Sequence, residues 1–167
     1  PCRKKSKMKQ NNLPQRKNSR LQSYDYATPN YYFVTICTNQ KRKIFGEPLQ
    51  KNCYGKIAEE GFLQIPRHFP SVENNKFVFM PNHVHAIVVL NDKVTNLTTV
   101  IGSYKSFVTK RIHALNAEIT VWQTSFYDHV IRNQKSFEKI WSYIDSNPMR
   151  WKEDCYFEDE QGNITAL

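Results

Sequence analysis

No cysteine of this 167-residue chain stands in a C-x-x-C pair or at a zinc-ribbon spacing. Cys2, Cys37, Cys53 and Cys155 are scattered, and no hydrophobic signal segment opens the chain, so they read as reduced thiols of a cytoplasmic protein. The five glycines form neither G-x-x-x-x-G-K nor G-x-G-x-x-G, so no phosphate-cradling loop and no bound nucleoside triphosphate is implied. The apolar runs are far shorter than the roughly 20 residues a bilayer-crossing helix needs, which excludes a membrane span. Nothing repeats internally. Acid is missing from the first twenty residues, where Arg3, Lys4, Lys5, Lys7, Lys9, Arg16, Lys17 and Arg20 leave positive charge unopposed.

What is present points to a polyanionic partner. Lys and Arg number 24 against 15 Asp and Glu, a net charge of +9, and such an excess favours nucleic acid without specifying a fold. The length suits one domain with a substantial core. Composition divides it into a basic arm (1–25), a folded domain (26–151) and a short acidic tail (152–167) beginning KEDCYFEDE.

Within the domain, YYFVTIC (31–37) is aromatic and β-branched and reads as a strand. Residues 53–64 carry apolar side chains at helical spacing, and Pro66 is expected to end that helix. KFVFM and HVHAIVVL flank Pro81-Asn82, a turn-forming pair, and so predict an antiparallel hairpin. Residues 97–115 show a helical stripe, SFYDHVIR (125–132) a fourth strand, and Ser136 to Asn147 a last helix stopped by Pro148. The order β-α-β-β-α-β plus a helix predicts an α+β, ferredoxin-like (split βαβ) antiparallel sheet with two helices on one face.

Two features stand out on this frame. His83 and His85 are two residues apart in an apolar strand, so they share a face about 7 Å apart. They fit either a pair converging on one ion or two polar residues on a sheet face. On the last helix, Phe137, Ile140, Trp141 and Ile144 predict a buried stripe, with Tyr143 at its edge and Asn147 one turn further. That hydroxyl and carboxamide also fit a boundary residue and a cap.

The stretches RKNSRLQSYDY, YYFVTICT, FMPNHVHAIV, IGSYKSFVTKRI, WQTSFYDHVIRN and YIDSNPMRW, in this order, resemble the REP-associated tyrosine transposases over residues 16–154. PNHVHAIVVL is similar to the His-hydrophobic-His strand of the HUH nucleases, and YIDSNP to the nucleophile helix of their single-tyrosine branch. The resemblance implies a ferredoxin-like core and metal-dependent cleavage of single-stranded or hairpin DNA by a tyrosine hydroxyl. It implies Tyr143 as nucleophile and His83, His85 and Asn147 around Mg²⁺ or Mn²⁺, in a monomer or homodimer. With imidazole ligands, Mn²⁺ becomes a competent ion beside Mg²⁺. Two neutral imidazoles and one neutral amide would leave the ion's charge undiminished for the phosphate. A phosphotyrosine link stores the energy of the broken bond, so a 3′ hydroxyl can rejoin the strand without ATP.

Other residues suit DNA contact: Arg16, Lys17 and Arg20 in the arm, Tyr104, Lys105, Lys110 and Arg111 on the second long helix, and Arg132 at the end of the fourth strand. His129 suits a supporting role behind the metal ligands, and Tyr127 rivals Tyr143 as nucleophile. Two other classes remain open: a catalytically silent nucleic-acid-binding protein of the same fold, and an RRM-type RNA-binding domain. The second should carry an aromatic RNP-like strand, and no such run occurs. Removing residues 1–20 is expected to flatten the salt dependence of DNA binding, measured as the slope of log affinity against log salt. An unchanged slope would mean that the arm touches no phosphate.

Overall fold

The computed structural model describes residues 24–157. The stretch holding Arg16, Lys17 and Arg20, and residues 158–167 of the acidic tail, lie outside them. In chain order the elements are β1 (Asn30–Cys37), a 3-10 turn (Asn39–Lys41), β2 (Gly46–Glu47), β3 (Gln50–Lys51), α1 (Cys53–Leu63), α2 (Ile65–His68), β4 (Val72–Met80), β5 (His83–Leu90), α3 (Leu97–His113), β6 (Tyr127–Ile131), α4 (Gln134–Ser146) and a 3-10 turn (Trp151–Glu153).

The main sheet has the order β4-β5-β1-β6 and every pairing is antiparallel. This is the ferredoxin-like arrangement the element order predicts. The expected hairpin is present, with Pro81 and Asn82 joining Met80 to its partner His83. Pro66 does not simply stop α1: it sits in the first turn of the short α2, where its missing N–H leaves no helical bond unmade. The small β2-β3 ribbon left no signal in the sequence.

Alternation along the strands gives the sheet two different faces. Tyr32, Val34 and Ile36 of β1 pair with Val88, Ala86 and Val84 of β5, and all six join the main core. Against them lie Ala58 and Phe62 of α1, and Val100, Ile101, Tyr104 and Val108 of α3. On the opposite face Phe33, Val78, Ile87 and Ile131 meet Phe137, Ile140 and Ile144 of α4. Trp141 departs from the expected stripe. It stands exposed, with the Lys76 ammonium of β4 3.8 Å from its ring centroid, and so caps the sheet edge instead of entering the core. Tyr104 also departs from expectation: it is buried and its hydroxyl donates to the Ala58 carbonyl, so it is no phosphate contact. No helix among the described residues is long and apolar enough to cross a membrane.

Side-chain caps start the three long helices, and α4 begins at Gln134, two residues before the expected Ser136. Asn52, Asn96 and Asn133 accept from the backbone N–H groups of Gly55, Thr98 and Ser136. Two glycines separate packing from propensity. A Cβ on Gly55 would lie 2.3 Å from the Phe45 carbonyl oxygen, whereas one on Gly102, exposed in α3, would meet nothing within 4 Å. Thermal unfolding should therefore show Gly55→Ala destabilised by about 1–3 kcal/mol. Gly102→Ala should gain roughly 0.5–1 kcal/mol from helix propensity alone.

Candidate active site

The register between β1 and β5 builds the site's floor. Cys37 lies opposite His83 and Thr35 opposite His85, all on the face that α4 covers. α4 then brings Tyr143 over His85, and the chain beyond it returns with Asp154. His83, His85, Asn147 and Asp154 are 0, 1, 2 and 4% exposed, while Tyr143 keeps 38% of its surface. The expected companions Tyr143, His83, His85 and Asn147 are thus within one small region.

Partners orient the imidazoles. Asn82 Nδ2 donates to the carbonyls of Lys41 and Tyr156, so its Oδ1 is the acceptor that faces His83 Nδ1 at 2.8 Å. His83 therefore carries its proton on Nδ1 and turns a bare Nε2 lone pair into the site. His85 Nδ1 lies 2.8 Å from Thr35 Oγ1, and its Nε2 lies 3.1 Å from the Tyr143 hydroxyl. The single Tyr143 hydroxyl proton goes to Asp154 Oδ2, so His85 Nε2 donates to the Tyr143 oxygen and His85 Nδ1 accepts from the Thr35 hydroxyl.

Asp154 ties the pieces together. Its Oδ2 accepts from Asn147 Nδ2 at 2.5 Å and from the Tyr143 hydroxyl at 3.2 Å, and its Oδ1 accepts from the Tyr156 N–H. The Nε2 atoms of His83 and His85 each stand 3.9 Å from Oδ2. Ligand atoms of His83, His85 and Asp154 lie within 4.8 Å of one another, a spacing open to a metal ion. His83 Nε2 and Asn147 Oδ1 are buried without a hydrogen-bond partner. Residues 152–157 read from composition as the start of a tail, yet Asp154 and Trp151 are buried and Asn82 holds the Tyr156 carbonyl. Asn82 was legible only as part of a turn, and nothing in KEDCYFEDE singles out Asp154.

Burial decides the charges. It holds the values of both histidines below the ordinary 6.5, His83 the more strongly, with each other's charge adding to it for His83. Burial opposes ionisation of Asp154, but contacts with His85, His83, Asn147 and the Tyr156 N–H outweigh it and set its value well below the carboxylate range. Burial, then the Asp154 charge, raises the Tyr143 phenol above its ordinary value. At neutral pH the site holds two neutral imidazoles, one carboxylate and one protonated phenol.

The other expected residues lie apart. His129 is exposed on β6 opposite Phe33, two pairs along from Tyr127 and Thr35. Tyr127 is exposed beside a small cavity that Thr35 and Tyr156 also line. Arg132 lines a cavity of about 370 Å³ with Tyr31 and Phe137, toward the start of α4. Lys105 donates to the carbonyls of Gln123 and Thr124, and Arg111 pairs with Glu60 at 3.5 Å. Lys105 and Lys110 line a cavity of about 740 Å³ between α3 and residues 117–124. The cleft at the site itself is about 230 Å³, lined by Tyr143, Ser146, Asn147, Arg150, Glu153 and Asp154. Site chemistry, not cavity size, identifies it.

Because both histidines titrate lower when folded, the unfolded chain takes up protons first as acid is added. Their contribution is intact above pH 6.5 and is lost as pH falls below it, at up to about 1.4 kcal/mol per pH unit for each. The low value of Asp154 acts only below the ordinary carboxylate range, outside this window. In a chelator, the unfolding midpoint should fall between pH 7 and 5, and His83→Gln should lessen that fall. An identical slope in the variant would place the proton uptake elsewhere.

Comparison with known proteins gives this geometry its context. The family described as IS200-like transposases matches residues 27–147. An uncharacterized protein of Haemophilus influenzae is 30% identical over 169 aligned positions, covering 86% of this chain and 94% of its own. The REP-associated tyrosine transposase of Escherichia coli is 22% identical, over 72% of this chain and 66% of that protein. In three dimensions the chain is similar to a REP-associated tyrosine transposase solved bound to a REP hairpin, with a TM-score of 0.63 at 22% identity over 79% of this chain and 73% of that one. The match covers every strand of the main sheet and runs to Asn147 at the end of α4, and the chain belongs to the IS200-like transposase family.

Proposed function

We propose that this transposase is a metal-dependent endonuclease and strand transferase for single-stranded DNA, cutting through a covalent bond to Tyr143. The observation that carries the reading is the half-exposed Tyr143 hydroxyl, 3.1 Å from His85 Nε2, beside the buried and unpartnered His83 Nε2 and Asn147 Oδ1. Unpaired lone pairs at such depth are costly unless a ligand uses them. His83, His85 and Asn147 fit a divalent cation, Mg²⁺ or Mn²⁺, because all three present neutral donors at one spot. When bound, the cation would supply charge against a non-bridging phosphate oxygen and lower the cost of attack.

The chain's own residues account for the rest of the chemistry. The ring of Tyr143 packs edge-on to Phe33 and against His85, which fixes the phenol oxygen for in-line approach. That oxygen forms the new P–O bond as the 3′ oxygen of the DNA leaves, and the phenol proton passes to a neighbouring acceptor or water. Attack by a 3′ hydroxyl on the phosphotyrosine reverses the step and joins DNA without further energy. Tyr31 and Tyr127 stand exposed on the strands beside α4, an aromatic surface on which unpaired bases can stack. The basic groove at Lys105 and Lys110, together with Arg132, supplies candidate phosphate contacts. The REP hairpin held by the structural relative makes a hairpin-flanked sequence the natural substrate to offer.

The test incubates the protein with Mn²⁺ and a single-stranded hairpin oligonucleotide from the flanks of its own gene, and looks for a covalent adduct on a denaturing gel. Wild type and Tyr127→Phe should form it, and Tyr143→Phe should lose it by at least a hundredfold while still binding DNA. An adduct that survives Tyr143→Phe but not Tyr127→Phe would overturn the assignment. DNA binding without any adduct in the wild type would favour the catalytically silent reading.

A further inference from the structure

We infer that Asp154 is a fourth ligand of the cation site, contributed by the turn that follows α4. This rests on the proposed site at His83, His85 and Asn147 and extends it. Asp154 lies seven residues beyond the end of the family match at residue 147, so the family region alone does not supply it.

The first argument is electrostatic. The Asp154 side chain is fully buried, and the Nε2 atoms of His83 and His85 stand within ion-pair reach of its carboxylate. Hydrogen bonds from Asn147, Tyr143 and the Tyr156 backbone offset part of the cost of burying a carboxylate. They bring no full positive charge, and a bound dication would.

The second argument is geometric. Donors bound to one ion at about 2.0–2.2 Å stand roughly 3 Å apart when adjacent and 4.3 Å when opposite. The two imidazole Nε2 atoms each lie 3.9 Å from Asp154 Oδ2, inside that range. The third argument is independent of the carboxylate: His83 Nε2 and Asn147 Oδ1 are buried lone pairs with no partner, and both belong to residues touching or facing Asp154. Asn147 donates its Nδ2 to Asp154, which leaves the amide oxygen free to ligate.

Two nitrogens and two oxygens make a harder ligand set than imidazoles alone and suit Mn²⁺ and Mg²⁺ better. The carboxylate also removes one unit of charge from the site, so the all-neutral set expected from the sequence does not hold. Its contact with the Tyr143 hydroxyl would set the nucleophile directly beside a ligand of the cation.

Mn²⁺ binding to the full chain without DNA, followed by calorimetry, tests this. Asp154→Asn should lower Mn²⁺ affinity at least tenfold, as His83→Ala does. Asp154→Cys should also lose Mn²⁺ affinity but shift the preference toward Cd²⁺, as a thiolate ligand dictates; a residue that merely braces Asn147 and Tyr143 would not move that preference. Unfolding midpoints in chelator check that the variants fold, and either one that does carries the answer. Asp154 variants that bind Mn²⁺ as tightly as wild type, with His83→Ala impaired, would overturn the inference alone. Unchanged affinity in His83→Ala as well would overturn the underlying site.

Discussion

Asn82 is the side chain on which the site's geometry turns. It is fully buried in the two-residue turn between β4 and β5. Its amide donates to the Lys41 carbonyl in the loop after β1 and to the Tyr156 carbonyl beyond α4, and its Oδ1 faces His83 Nδ1. Its own carbonyl accepts from the N–H and the hydroxyl of Thr38. One residue thus clamps a loop, a hairpin and the returning chain, and sets the tautomer of an imidazole. A shorter or apolar residue there would leave buried carbonyls unsatisfied and free His83 to take the other tautomer.

The two faces of the sheet divide the work. α1 and α3 cover one face with a continuous apolar core, which gives the strands a fixed register. That register alone puts Thr35 beside His85 and Cys37 beside His83. The other face carries a much smaller apolar cluster under α4, and the remaining area is given to polar groups. Stability is concentrated on one side, so the buried polar site on the other can carry unsatisfied atoms that a lone core would not tolerate.

The fold was legible because its signals are local. Aromatic and β-branched runs marked the strands, the Pro81-Asn82 pair marked the hairpin, and apolar spacing marked α1, α3 and α4. His83 with His85, and Tyr143 with Asn147, could be paired from their spacing on one element, but spacing left their roles open and the family resemblance supplied them. What escaped depends on contacts between distant segments. Thr35 meets His85 across fifty residues and Asn82 meets Tyr156 across seventy-four, which no periodicity encodes. Trp141 fits the α4 stripe by spacing, but the helix lies over the β4 edge and leaves that ring to Lys76.

Asp154 shows why composition misread its segment. Acidic runs are commonly solvated, and KEDCYFEDE has that composition. Just before it, however, Trp151 is buried near His83, and within it the Tyr156 ring lies tilted with its centroid 4.7 Å from the same imidazole. Those two aromatic anchors draw the backbone inward, and Asp154 lies between them. Its neighbours Lys152, Glu153 and Cys155 stay exposed, so the Asp154 carboxylate is taken out of water while that of Glu153 remains in it. The buried carboxylate is therefore a consequence of aromatic packing, and it is that packing which sets a negative charge against the tyrosine hydroxyl.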